Sequence, residues 1–280
     1  MAIKNSKKLI KLKLGDIGAN GDTVATIDSE TISVFGGIPG EVVLAEIIEQ
    51  KKTKRKRKRT FASVKQVVIS SEYRIKPPCN FYGFCTGCNW QHINYEHQLY
   101  LKQKLLHKEL LKYLNNKINI KNIIRSENQF HYRNHGRFSI RRNGQIGFTN
   151  KVSKKFVGIN KCLIMNNKIN KYIKHLETKV GETSQMSIRV GVNTDSYLIQ
   201  PKLNKAQIKT KTGQKNYREK IRNKNFQISS PSFFQVNSDQ IPKMTEIILS
   251  LIHGIDKELL VDAYAGVGTF GIMLNKNFKK

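Results

Sequence analysis

The 280 residues are short of acid: 20 Asp and Glu stand against 50 Lys and Arg, a formal charge of +30. Solubility needs far less, and AT-rich codon usage, which would raise Lys, Asn and Ile together, would raise Glu as well. The excess therefore points to a polyanionic partner, and nucleic acid is the obvious one. No apolar run approaches the roughly 18 residues of a membrane helix, and the start (MAIKNSKKLIKLKLG) lacks the apolar stretch of a signal peptide, so we expect a cytoplasmic protein. Cysteine is scarce at 4 residues and tryptophan occurs once. Apolar residues make up 39% of the chain, enough for real cores, so wholesale disorder is excluded.

The charge is regional. Residues 1–50 are nearly neutral, with 5 basic and 7 acidic side chains, whereas 51–59 (KKTKRKRKR) hold 8 basic and none acidic. Residues 120–230 carry 24 basic against 5 acidic, and the last 50 residues balance at 5 and 5. Two separate basic regions favour a continuous phosphate-tracking surface over a solvated coat. Lys54, Arg55 and Arg57 of the basic run are candidate RNA contacts.

Residues 9–18 and 23–34 alternate apolar and polar side chains, and EVVLAEIIEQ (41–50) and FASVKQVVIS (61–70) follow a Gly-Gly-Ile-Pro-Gly turn. Four or five short strands with one long basic loop fit a small barrel of the OB type, which grips oligonucleotides with loops and one sheet face. GANGDTVATID followed by SVFGGIPGEVVLAEI resembles a TRAM domain, an OB-like RNA-binding module.

Cys79, Cys85 and Cys88 form a C-x5-C-x2-C triplet, and Cys162 stands 74 positions beyond it. In a cytosolic protein that distribution favours a metal over disulfides, and three ligands from one loop plus a lone fourth suit a 4Fe-4S cluster better than zinc, whose structural sites pair their ligands. Pro77-Pro78 before the triplet and Tyr82-Gly83-Phe84 within it imply a tight, shielded loop, and Thr86-Gly87 lets backbone N–H groups turn toward sulfur. Trp90 reads equally as a wall of that site or as core. Leucines at helical spacing predict an amphipathic helix over 92–118. In 130–148, arginines and aromatics alternate around an Asn143-Gly144 hairpin signal. Arg133, Arg137, Arg141 and Arg142 are therefore candidate phosphate contacts, with Tyr132 placed for stacking.

Near the end, an apolar strand is predicted over 259–263, running into Gly266-x-Gly268 and a helix, the opening of a doubly wound α/β unit. The third glycine of a dinucleotide fingerprint is missing, which argues against NAD. Asp262-x-Tyr264-x-Gly266-x-Gly268 resembles the first motif of S-adenosylmethionine (AdoMet) methyltransferases.

With Phe233-Phe234-Gln235-Val236-Asn237, the four cysteines and the TRAM-like head, these motifs resemble the RNA uracil-5-methyltransferases, most closely the bacterial branch that acts on 23S rRNA with a 4Fe-4S cluster. The resemblance runs the length of the chain. It implies AdoMet contacts at Gln235 and Tyr264 beside Gly266 and Gly268, cluster ligation by Cys79, Cys85, Cys88 and Cys162, and an RNA partner, rRNA ahead of tRNA, for a monomer. Core packing is the preferred reading of Phe233 and Phe234. The implied fold class is α+β multidomain: a TRAM/OB-like barrel at 1–66, a central β-rich cluster domain at 67–229 whose helix packs on the catalytic domain, and a truncated Rossmann-like AdoMet domain at 230–280. In the family a cysteine thiolate adds to uracil C6 and a base removes the C5 proton, with both groups beyond the glycine motif. Here 12 residues follow Gly268 and every cysteine fits the cluster, so we expect an amino-terminal, catalytically incomplete chain. The rival readings are a non-catalytic RNA-binding cluster protein, a tRNA enzyme, and a radical-AdoMet methylthiotransferase; the last uses C-x3-C-x2-C and carries TRAM at the opposite end.

Overall fold

Strict alternation of side chains builds the first part of the chain. The computed structural model describes residues 9–50, 59–114, 119–205 and 207–279, and divides into two units, 1–125 with 150–155 and 126–149 with 156–280.

In the first unit, β1 (Leu9–Lys13), β2 (Thr23–Ile27), β3 (Glu30–Phe35), β4 (Val42–Gln50) and β5 (Arg59–Ile69) form one sheet in the order β1-β4-β5-β3-β2. All pairs are antiparallel except β3 with β5. The sheet curls: just past β1, the Gly15 N–H reaches Val24 O at 2.7 Å and the Val24 N–H reaches Asp16 O at 3.0 Å, which ties the first strand to β2. One face turns Leu12, Leu14, Ala25, Val34, Val43 and Ala45 into a core. The alternating segment over 23–34 is a hairpin. Asp28 and Ser29 both take positive φ (47° and 67°) between the paired residues Ile27 and Glu30. Positive φ at both central residues matches the strand twist, and Asp tolerates it.

α1 (Tyr95–Leu110) is shorter than the 92–118 predicted. Asn94 caps it, its side chain accepting the His97 N–H at 2.8 Å. Only Leu101 of this helix is buried, packed with Ile17, Ile38 and Ile93 and flanked by Leu105 and Trp90. Leu106, Leu111 and Leu114 stay exposed.

The second unit holds an antiparallel sheet of β6 (His135–Ile140), β7 (Ile146–Thr149), β8 (Phe156–Gly158), β9 (Gln185–Val190) and β10 (Tyr197–Gln200), ordered β10-β9-β6-β7-β8. The Asn143-Gly144 turn joins β6 to β7, with the Arg141 N–H on Gln145 O at 3.0 Å. α2 (Asn167–Leu176), capped by the Asn166 side chain, buries Ile169, Ile173 and Leu176, one apolar stripe at helical spacing. A hairpin of β11 (Asn216–Ile221) and β12 (Lys224–Ser229) then packs Tyr217, Ile221, Phe226 and Ile228 with Leu198, Phe234 and Ile241. Ile241 belongs to α3 (Gln240–Leu251), and Met273 of α4 (Thr269–Leu274) joins the same core from its edge.

No strand forms over the predicted 259–263. Leu259 and Val261 stand 64% and 73% exposed. A strand needs a neighbour to receive its backbone N–H and C=O groups, and among the described residues no segment pairs with this one.

Candidate active site and RNA-contact surface

The cysteine loop is tied to the curled sheet by buried polar groups. Glu41, the last residue of Gly-Ile-Pro-Gly-Glu, is buried and accepts the Ile38 N–H (2.9 Å) and the Ser71 N–H (3.1 Å). Arg74 grips the same carboxylate with two 2.6 Å bonds and the Gly36 carbonyl with a third. Burial alone would raise the Glu41 pKa, but these donors outweigh it and hold the carboxyl below its ordinary value.

Further along, the Trp90 indole donates to Gly21 O at 2.5 Å, and the ring lies against the Ile17, Ile38 and Ile93 cluster, so Trp90 is a packing residue. His92 Nε2 lies 3.0 Å from Gly37 O, and its Nδ1 lies 2.5 Å from the Tyr82 hydroxyl. Burial pushes the His92 pKa down to about 4, so the ring is neutral at pH 7. The Tyr82 hydroxyl donates to Asn89 O at 2.7 Å, with His92 Nδ1 beside it. Burial likewise pushes the Tyr82 phenol up. From the loop 150–155, Asn150 Nδ2 donates to Phe84 O (2.7 Å) and the Lys151 N–H to Thr86 Oγ1 (2.7 Å).

The four cysteines are half-buried and joined in no disulfide. Burial raises the Cys85 pKa, the Gly87 N–H hydrogen-bonded to its sulfur acts against that rise, and Cys88 and Cys79 are near enough to add to it. A Cβ on Gly87 would sit 3.4 Å from Cys85 Sγ, so glycine lets the backbone approach the sulfur. The donor chemistry suits a thiolate-held cluster. Among the described residues, however, no group of three or more His, Cys, Asp or Glu side chains is drawn together tightly enough to hold a metal ion. Cys162 belongs to the second unit, where Asn170 accepts its N–H at 2.9 Å and donates to its carbonyl at 3.1 Å.

The Phe-Phe-Gln segment sits on a buried relay that the sequence did not advertise. Glu219 is fully buried, and its carboxylate accepts the N–H groups of Val192 (2.7 Å), Asn193 (3.0 Å) and Lys220 (2.9 Å) and the Ser238 hydroxyl (3.0 Å). Ser238 Oγ accepts from Asn134 Nδ2, which also donates to Gln235 O at 2.9 Å. Arg189 Nη1 adds a 2.6 Å bond to Ser232 O. The backbone of 232–238 is therefore fixed from both sides. Phe234 enters the core, as expected, but Phe233 is 70% exposed, contrary to the packing role assigned to it. A lone Glu at an apolar position of a strand (Tyr217, Glu219, Ile221) was the available signal for this relay.

In the glycine segment, Gly266 (φ 57°) and Gly268 (φ 73°) lie in the left-handed region, and Gly268 caps α4. That conformation strains any side chain, and a Cβ on Gly266 would meet nothing within 4 Å, so space is open for a ligand against the backbone. Tyr264 is 98% exposed. These residues fit an AdoMet site in form.

Of the basic candidates, Arg137, Arg141 and Arg142 are exposed on or beside β6, with the Arg141 guanidinium 4.7 Å from the Phe156 ring centre. Arg133 is half-buried and donates to His135 O at 3.1 Å. Lys54, Arg55 and Arg57 lie outside the described residues.

No family model matches the chain. An uncharacterized RNA methyltransferase of Listeria innocua is 25% identical over 96% of this chain and 70% of its own length. One of Aquifex aeolicus is 28% identical with the same coverage. The crystal structure of Pyrococcus abyssi tRNA (uracil-54, C5)-methyltransferase, in complex with S-adenosyl-L-homocysteine, superposes with a TM-score of 0.67 at 25% identity, covering 95% of this chain and 71% of that one. Over nearly its whole length the chain is similar to RNA methyltransferases, among them one solved as a tRNA uracil-C5 enzyme. Among the described residues, no helix is long and apolar enough to cross a membrane.

Proposed function

We propose that this chain is the RNA-holding and cofactor-approaching part of a cytoplasmic, monomeric enzyme that methylates uridine at C5, with 23S rRNA as its substrate. The observation that carries this reading is the Phe233–Asn237 backbone locked by Asn134 and Ser238 in the same unit as a glycine segment left open beside Gly266. AdoMet supplies the methyl group, with Gln235 and Tyr264 as its contacts and Gly266 and Gly268 letting it approach the backbone. The curled sheet is a TRAM-type barrel that presents the 51–59 loop to phosphates, and Arg133, Arg137 and Arg141 extend that surface. The target uridine has to leave its stack to be reached. Domain bounds of 1–66, 67–229 and 230–280 go with this reading.

Cys79, Cys85, Cys88 and Cys162 are the proposed ligands of a 4Fe-4S cluster. Protein purified without oxygen should contain about four irons and four sulfides per chain, the stoichiometry of that cluster type. Stoichiometric zinc, or no metal, would overturn this assignment. With every cysteine so engaged, these 280 residues hold no thiolate for C6 and should bind RNA without transferring methyl.

A tRNA substrate is the second reading, favoured by the activity named for the Pyrococcus structure. The complete gene product, given labelled AdoMet and unmodified transcripts of both RNAs, should label uridine C5 in 23S rRNA. Label confined to tRNA supports the second reading, label in neither overturns both, and label transferred by the 280 residues alone overturns the assignment of all four cysteines to the cluster.

A further inference from the structure

The basic middle of the chain contains a cleft that none of the motifs above uses. It lies in the second unit between α2 and the start of β10, has a volume of about 530 Å³, and is lined by Lys171, Tyr172, His175, Asp195, Tyr197 and Thr210 among others. That volume is in the range of small-ligand sites. Its walls combine two features that nucleic-acid clefts need together.

The first is an aromatic platform. The Tyr172 and Tyr197 rings lie 4.7 Å apart between centroids, tilted by 36°, and both are half-buried, so each keeps part of its surface open to solvent. Burial, with Tyr197 and Asp195 nearby, pushes the Tyr172 phenol up to about 12, so the ring carries no charge at neutral pH. The second is cationic surroundings. Lys171 and His175 are exposed on the outer side of α2, and the 201–215 segment that contributes Thr210 also carries Lys202, Lys205, Lys209 and Lys211, all exposed. Asp195 is the single carboxylate on the cleft wall, and it faces Lys168 at 3.8 Å.

The far wall is rigid. Lys168 extends from α2 and donates to three carbonyls of the 191–194 turn, Gly191 (3.0 Å), Val192 (3.2 Å) and Thr194 (2.6 Å). Glu219 receives the Val192 and Asn193 N–H groups of the same turn. Both polar edges of the turn are thereby satisfied from within the protein, so the cleft keeps its shape without a ligand and less ordering is needed on binding.

We infer that this cleft is a separate RNA-contact site, in which one unpaired base of single-stranded RNA stacks on the Tyr172–Tyr197 pair while Lys171 and His175 hold its flanking phosphates. Aromatic stacking beside a phosphate-tracking cation is the common mode of single-strand binding, and it is tolerant of sequence because every base has a π-face. The inference rests on the RNA-binding reading above and adds a location to it, distinct from the arginines of β6 and from the glycine segment.

The test uses the 280-residue protein and a fluorescein-labelled oligouridylate followed by anisotropy, with an RNA duplex of equal charge as the second probe. Replacing both tyrosines (Tyr172→Ala with Tyr197→Ala) should weaken the single strand about tenfold and leave the duplex unchanged. Lys171→Glu, an exposed change that spares the core, should weaken both probes severalfold and flatten the salt dependence. In the unaltered protein, an oligonucleotide carrying 5-iodouridine should crosslink to the peptides containing Tyr172 or Tyr197. Wild-type binding with crosslinks confined to other peptides, and with Lys171→Glu indistinguishable from wild type, overturns the site. Failure of the wild-type protein to bind either probe overturns the RNA-binding reading itself.

Discussion

The cysteine loop and the glycine segment are both irregular stretches that carry chemistry by family resemblance, yet they are held in opposite ways. Around the cysteines, Glu41, Arg74, Trp90, His92 and Tyr82 engage one another or the curled-sheet backbone through short hydrogen bonds, and most of these groups are at least half-buried. Around the glycines, Val267 and Met273 touch the core, while Leu259, Val261 and Tyr264 face solvent. An irregular loop that carries its own polar partners is rigid by itself. The glycine segment has few such partners and takes its order from Val267 and Met273 against the core.

That contrast can be broken by mutation. The largest effect is expected for Glu41→Ala, which removes the acceptor of four donors and strands the Arg74 guanidinium. Breaking a buried pair by deleting one partner costs about 3–5 kcal/mol, and chemical denaturation should show that loss in the first unit. A loss near the level of a surface substitution would mean that the loop does not depend on this carboxylate. The smallest effect is expected for Leu259→Ser, whose side chain is 64% exposed: a change within about 0.5 kcal/mol in the same measurement. A larger loss there would show that the segment is packed after all, and would erase the difference between the two regions.

The parts of the fold that rest on local alternation were legible in the sequence. Strands β1, β4 and β5 follow the period-2 pattern, and Asn143-Gly144 announced the β6–β7 turn. The Asp28-Ser29 hairpin carries no such signal, because it turns without glycine inside a run of alternating residues. The 259–263 strand was read from composition, but composition supplies only the apolar half of a strand; the pairing half has to come from elsewhere in the chain. The relay from Glu219 through Ser238 and Asn134 to Gln235 joins positions up to 104 apart, and no spacing rule reaches that far. Glu41 closes the Gly-Ile-Pro-Gly-Glu stretch, and its contacts make it a structural strut, so part of that stretch anchors the segment that leads into the cysteines.

The loop 150–155 gives the cysteine region an order in time as well as in space. Phe84 O and Thr86 Oγ1 are satisfied by Asn150 and Lys151, which are 66 and 65 positions further along the chain. During synthesis from the amino end, the strands of the curled sheet have all been made by residue 69, but the cysteine loop meets these two partners only after another eighty or so residues have left the ribosome. The cysteine loop of the first unit therefore lacks these two hydrogen bonds for the interval in which the central sheet is still being translated.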